Sequence, residues 1–121
     1  MKHTVTTIQA MRDNKEIITM LTAYDYPTAK KVNDAGIDMI LVGDSCAMVV
    51  HGHPTTLTAT MDMMVLHCAA VARACDRTMV IADMPFGSFQ YSIEDTMKNA
   101  ARFITEAKVD GCLLYTSDAA D

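Results

Sequence analysis

Two short apolar runs in this chain end in the same way. Met39-Ile40-Leu41-Val42 leads into Gly43-Asp44-Ser45, and Met79-Val80-Ile81-Ala82 leads into Asp83, closed by Met84-Pro85. A brief apolar run with turn residues at both ends reads as a buried strand. Each run delivers one carboxylate at its C-terminal end, the edge where a parallel sheet presents its chemistry. No other feature restricts the chain as much, because it asks for two neighbouring parallel strands joined by one crossover.

The segments around these runs supply the crossovers. Thr6 to Asn14 reads as a short leading helix, and Ile17 to Thr22 as the first strand. Pro27 suits the first turn of a helix, where its missing N–H is not needed. Ala29, Val32 and Ala35 mark the inner face of that helix, and Gly36 ends it. Asp38 to Gly43 is the second strand. Asp44 to Thr58 has no clean period and is longer than the usual connection of about 4–6 residues, so it reads as a functional loop. Thr60 to Cys75 is a helix with Met61, Met64, Val65, Cys68, Ala72 and Cys75 on one face. Thr78 to Ala82 is the third strand, and Pro85 to Tyr91 a second glycine-containing loop. Ser92 and Asp95 resemble a capping box, and the helix they open is expected to bury Ile93, Met97, Ala100, Ala101, Ile104 and Ala107. After a turn at Asp110-Gly111, Cys112 to Tyr115 begins a fourth strand.

Strands alternating with helices predict a parallel sheet with right-handed crossovers. The first strand is not followed by G-x-G-x-x-G, so a dinucleotide fold has no support. A barrel of eight such units needs about 250 residues. The 121 residues here hold three units and the start of a fourth. The expected fold class is therefore α/β, a partial (βα)8 TIM barrel preceded by a short N-terminal helix.

Charge and composition exclude some partners. A net charge of −5 with no basic cluster argues against nucleic acid. No apolar run reaches the roughly 18 residues of a membrane span, and Met1 to Lys15 lacks the apolar centre of a signal peptide. The four cysteines show no C-x-x-C spacing and read as reduced thiols. The expected location is the cytoplasm.

On adjacent strands about 4.8 Å apart, Asp44 and Asp83 can converge on one point. Two unpaired carboxylates that close repel each other, so one is protonated or a cation sits between them. Oxygen ligands on two loops favour Mg²⁺. Aspartate at these places also serves as a cap for the segment that follows, and that alternative stays open. Ser45 suits an anionic substrate, through its hydroxyl or its N–H, or equally a turn. His51-Gly52-His53, with Cys46 nearby and His67-Cys68 on the next helix, invites a zinc reading, but the spacing matches no recognised zinc pattern. Phe86, Phe89 and Tyr91 read as loop packing, and the eleven methionines as core fill.

Several stretches together carry a resemblance. Ile18-Thr19-Met20-Leu21-Thr22-Ala23-Tyr24-Asp25-Tyr26-Pro27, Leu41-Val42-Gly43-Asp44-Ser45, Thr56-Leu57-Thr58 in its loop, and Asp83-Met84-Pro85-Phe86-Gly87-Ser88 agree in order and spacing. From about Thr6 to Val109 the chain resembles the ketopantoate hydroxymethyltransferase (3-methyl-2-oxobutanoate hydroxymethyltransferase) family. The resemblance implies a (βα)8 barrel of the pyruvate/phosphoenolpyruvate type. It implies transfer of a hydroxymethyl group from 5,10-methylenetetrahydrofolate to 3-methyl-2-oxobutanoate, giving 2-dehydropantoate for pantothenate synthesis. It assigns Asp44 and Asp83 to Mg²⁺ and, with Ser45, to the keto acid.

The resemblance also implies small-molecule partners, the 2-oxo acid and the folate, with no nucleic acid and no membrane, and a homo-oligomer whose assembly a fragment would lose. The family's fourth strand carries a V-K-L-E-G-G-like run with a substrate-binding lysine and a third metal ligand. Here Cys112 to Asp121 reads differently. The family's general base lies further on, so no catalytic base is assigned in this chain. Residues 1–111 are thus expected to be the N-terminal part of a barrel, residues 112–121 a tail foreign to the family, and the chain alone inactive. Two other readings are another Mg²⁺-dependent C–C bond enzyme of the same barrel type, and a non-catalytic metal-binding fragment using His51, His53 and the cysteines.

Overall fold

The computed structural model describes residues 2–114. Helix α1, Val5–Asp13, opens at Thr4 with a reciprocal cap: the Thr4 hydroxyl accepts the Thr7 N–H, and the Thr7 hydroxyl accepts the Thr4 N–H. Strand β1 is only Met20–Thr22, half the predicted length. The ladder stops where the Thr19 N–H turns to a side chain, donating to Asp38 Oδ2 at 3.0 Å.

Helix α2, Tyr26–Asp34, is capped by Asp25 and carries Pro27 in its first turn. Its buried residues are Ala29 and Asn33, whereas Ala35, expected inside, is exposed. Asn33 faces inward because it has partners there. Its Oδ1 accepts the N–H groups of Arg77 at 3.0 Å and Thr78 at 2.9 Å, and its Nδ2 donates to Asp76 at 2.7 Å. A polar side chain with every near neighbour satisfied can dock a helix as an apolar one does.

Strand β2, Met39–Val42, leads into the segment expected to be irregular, which in fact holds a short helix α3, Cys46–Val49, and a 3₁₀ turn, Thr56–Thr58. Helix α4, Met61–Ala74, is capped by Thr60 and buries Met64, Val65, Cys68, Val71 and Ala74. Val71, rather than the predicted Ala72, completes that face; Ala72 is half-buried. Strand β3 is Met79–Asp83, helix α5 is Ile93–Arg102, and a π turn, Phe103–Ala107, precedes strand β4, Gly111–Leu113. Gly111, expected in a turn, is the first residue of β4. The tail expected from Cys112 onward falls mostly on residues 115–121, outside the described residues. Among the described residues, no helix is long and apolar enough to cross a membrane.

All four strands are parallel, in the order β1-β2-β3-β4. Ile40 pairs with Val80 and Val42 with Ala82, and all four are buried in the core that α2, α4 and the π turn close with Ala29, Met64, Cys68, Val71 and Phe103. Leu41 and Ile81 alternate to the opposite face and are only half-buried. Helix α5 departs most from expectation. Ile93 and Met97 are 84% and 66% exposed, and Ala101 and Ile104 are exposed as well. Ala107 is buried and Ala100 half-buried, as expected, but the inward stripe is completed by Thr96 and the fully buried Phe103. That stripe has the same helical spacing but mostly small residues, so the helix can come close to the core.

The N-terminal ends of the strands are tied together by polar groups. Asp38 Oδ1 meets His3 Nε2 at 3.0 Å, and Asp38 Oδ2 accepts from both Thr19 N–H and Thr19 Oγ1. Lys2 Nζ donates to the Thr78 carbonyl at 2.6 Å and lies 3.1 Å from Asp110 Oδ2, which also accepts the Val80 N–H. The segment before α1 thereby clamps the starts of β2, β3 and β4 from below.

Candidate active site

The opposite, C-terminal edge gathers Tyr24 after β1, Asp44 and Ser45 after β2, and Asp83 on β3. The two aspartates are not in equivalent places. Asp83 is the last residue of β3 and only 4% exposed, whereas Asp44 lies beyond its strand and is half-buried. The pairing of Val42 with Ala82 brings Gly43, one residue before Asp44, level with Asp83. A methyl group on Gly43 would come 3.1 Å from Ser45 Oγ and 3.8 Å from Asp83 Oδ2, so glycine leaves room for both side chains.

Asp83 Oδ2 accepts the Asp44 N–H at 3.1 Å. Asp83 Oδ1 is buried with no partner among the described residues. Burial pushes this carboxyl up to about 6; the Asp44 N–H pulls it down, and the neighbouring Asp44 carboxylate raises it further. Buried acceptors without donors are uncommon and ask for an explanation. Mg²⁺ takes one or two carboxylates and completes its shell with water and substrate oxygens, and Asp83 Oδ1 beside Asp44 fits that donor set. Asp83 does not cap the segment after it, since one oxygen turns back to Asp44.

Ser45 opens α3 without capping it. Its hydroxyl instead pairs with the Tyr24 hydroxyl at 2.7 Å, and the Tyr24 carbonyl in turn accepts from His67 Nδ1 at 2.7 Å. Neither Tyr24 nor His67 was placed beside Ser45 by the sequence reading. The signal was available for Tyr24, which follows the first strand and so must emerge at the same edge as Asp44 and Asp83.

Beside Asp44 opens a pocket of about 220 Å³, lined further by Thr56, Leu57, Met84, Phe86, Phe89 and Gln90. The 3₁₀ turn brings Thr56 and Leu57 there. Phe86 and Phe89, expected as loop packing, form part of its wall, whereas Tyr91 packs over Gly87. The proposed zinc cluster does not assemble. Among the described residues, no three His, Cys, Asp or Glu side chains converge. Burial pushes the Cys46 thiol up to about 11 and the Cys68 thiol higher still, away from the thiolate a metal needs.

Residues 2–118 match the sequence profile of ketopantoate hydroxymethyltransferase. This chain belongs to the ketopantoate hydroxymethyltransferase family. The 3-methyl-2-oxobutanoate hydroxymethyltransferase of Staphylothermus marinus is 54% identical over 99 residues, covering 82% of this chain and 36% of that protein. The chain thus spans well under half the length of such a relative. Among solved structures, the phosphoenolpyruvate phosphomutase of Streptomyces platensis superposes with a TM-score of 0.72 at 19% identity, over 91% of this chain and 37% of that one. A phosphonopyruvate hydrolase in complex with oxalate and Mg²⁺ superposes with a TM-score of 0.68 at 17% identity, over 84% of this chain and 35% of that one. The four parallel strands of this ketopantoate hydroxymethyltransferase family member, with the helices that join them, are therefore part of a (βα)8 barrel, as the alternation of elements predicted.

Proposed function

We propose that the protein containing these residues transfers a hydroxymethyl group from 5,10-methylenetetrahydrofolate to 3-methyl-2-oxobutanoate, giving 2-dehydropantoate for pantothenate synthesis. Asp44 and Asp83 are two of the ligands for Mg²⁺, and Ser45 receives the 2-oxo acid. The observation that carries this reading is the buried, unpartnered Oδ1 of Asp83 beside Asp44. The names of the relatives support the choice of reaction. The phosphonopyruvate hydrolase that shares the fold was captured with Mg²⁺ and oxalate, whose two adjacent carboxyl carbons resemble the head of a 2-oxo acid.

When bound, Mg²⁺ supplies Lewis acidity toward the keto oxygen and so makes the adjacent C–H easier to deprotonate. The chain's own residues bind and orient. The Asp44 N–H fixes one Asp83 oxygen and leaves the other without a partner, so that it would be free to hold the cation. Tyr24 holds the Ser45 hydroxyl in place for the substrate's carboxylate, sparing it the search among rotamers. Leu57, Met84, Phe86 and Phe89 give the pocket an apolar wall. The base and the third metal ligand are contributed from outside residues 2–114. By themselves the 121 residues have no turnover, because the half-open face with Leu41 and Ile81 lacks the opposing barrel wall.

The test is to compare Asp83→Asn with the parent in a complete protein carrying these residues, following tetrahydrofolate formation against Mg²⁺ concentration. Severe loss of turnover at limiting Mg²⁺ is expected, with the folded state retained. Normal turnover there would remove Asp83 from the cation site. The chain alone is assayed beside it, and measurable turnover would show that these residues suffice.

A further inference from the structure

We propose that His51 and His67 form a two-imidazole chelate for a borderline divalent metal ion such as Zn²⁺, Ni²⁺ or Cu²⁺, separate from the carboxylate site. The pair brings Nε2 of each ring within 2.8 Å of the other across 16 residues of sequence. His51 is exposed on the turn after α3, and His67 is half-buried on α4.

The hydrogen positions follow from the partners. A carbonyl can only accept, so His67 Nδ1, 2.7 Å from the Tyr24 carbonyl, carries a hydrogen. In the neutral ring, His67 Nε2 then holds a lone pair, and His51 Nε2–H donates to it. A histidine whose Nδ1–H is held by a backbone carbonyl is oriented as metal-bound histidines are, with its other nitrogen basic and directed outward. His51, on an exposed turn, can turn its ring and move its hydrogen to Nδ1, which frees a second lone pair.

The spacing suits a shared ion. Two nitrogens at about 2.0–2.1 Å from one metal stand about 2.9 Å apart at a right angle, and about 3.3 Å apart at the tetrahedral angle. The observed 2.8 Å requires little movement to reach either. The rings meet edge-on, with centroids 5.1 Å apart and planes at 78°, so their nitrogen edges converge rather than stack. Imidazole selects the borderline ions over Mg²⁺, and water completes the shell. His53 does not take part, which separates this site from the cluster the sequence suggested. An ion here would clip the turn after α3 to α4 and, through the Tyr24 carbonyl, to the exit of β1.

The experiment is calorimetric titration of the 121-residue chain with NiCl₂ at neutral pH in excess Mg²⁺. One Ni²⁺ per chain is expected. His67→Asn keeps an N–H donor for the Tyr24 carbonyl but deletes Nε2, and it should weaken binding at least about tenfold. His51→Ala should do the same, while His53→Ala and Asp83→Asn should bind as the parent does. If His67→Asn does not fold, His51→Ala on its exposed turn carries the comparison alone. No binding by the parent, parent-like binding by His51→Ala, or equal loss in His53→Ala would overturn the proposal. Binding lost in Asp83→Asn would overturn it too, by showing that Ni²⁺ had entered the carboxylate site.

Discussion

Replacing Asp83 with asparagine should make the metal-free chain more stable. Asp83 is 4% exposed, and one of its oxygens has no partner among the described residues. Its carboxyl is raised from 3.8 to about 6, chiefly by burial. One pKa unit is worth about 1.4 kcal/mol, so a shift of roughly two units means that ionised Asp83 costs the fold about 3 kcal/mol. Because the folded-state value is the higher one, the native state binds more protons than the unfolded state between about pH 4 and 6. Stability contributed by this group is therefore present below pH 4, falls as pH rises through that window, and is fully lost above it. Asparagine keeps an oxygen for the Asp44 N–H and offers an amide hydrogen to the Asp44 carboxylate. The expected gain at pH 7.5 is about 1–3 kcal/mol after its own burial is counted. The assay is urea unfolding with a chelator present, for parent and variant, at pH 7.5 and again near pH 4. The gap should close at the lower pH, and added Mg²⁺ should stabilise only the parent. A variant less stable than the parent at pH 7.5 without metal would refute the reasoning.

Further outcomes can be checked independently. In a complete protein, Ser45→Ala should raise the KM for the 2-oxo acid roughly 10- to 150-fold, the equivalent of about 1.5–3 kcal/mol for a hydrogen bond to a charged group. Tyr24→Phe should raise it less in the same steady-state assay, since it removes only the contact that aims Ser45. Asn33→Ala should lower stability by about 2–4 kcal/mol in urea titration, because the N–H groups of Thr78 and Arg77 lose their acceptor. Burial would raise the Asp38 carboxyl, but hydrogen bonds from Thr19 and His3 together hold it below 3.8. Its contribution is therefore present above pH 3.8 and lost as pH falls below it, and Asp38→Asn should flatten that acid limb in an unfolding series.

The fold was legible because both of its signals are local. Apolar runs bounded by glycine, proline and aspartate marked β2 and β3, and the single crossover between them predicted parallel neighbours. Less legible was anything decided by a partner. The α5 sequence carries two stripes at helical spacing, and periodicity favours the one with the larger side chains. The core took the stripe of Thr96, Ala100, Phe103 and Ala107, since small residues allow close approach and Phe103 alone fills the gap. Asn33 was hidden for a related reason: nothing in its own helix reveals the Arg77 and Thr78 N–H groups that welcome it. At the candidate site, Asp44, Ser45 and Asp83 could be named from their places at strand ends. Tyr24 could have been named in the same way, but the one-residue offset between the aspartates could not, because it depends on register, and neither could His67, which acts through a backbone contact between segments.

The polar clamp below the sheet has an evolutionary consequence. Lys2, His3, Asp38 and Asp110 align the strands at one edge, while Tyr24, Asp44, Ser45 and Asp83 stand at the other. Strand alignment thus has a set of ties that stands apart from the residues at the working edge. Substitutions there can alter what the protein recognises without shifting the strands, so a lineage can explore new substrates from a scaffold that stays in register. A saturation library selected only for folding should show this as polarity along every strand: intolerance gathered around Asp38 and Asp110, and latitude increasing toward the loops that follow β1 and β2.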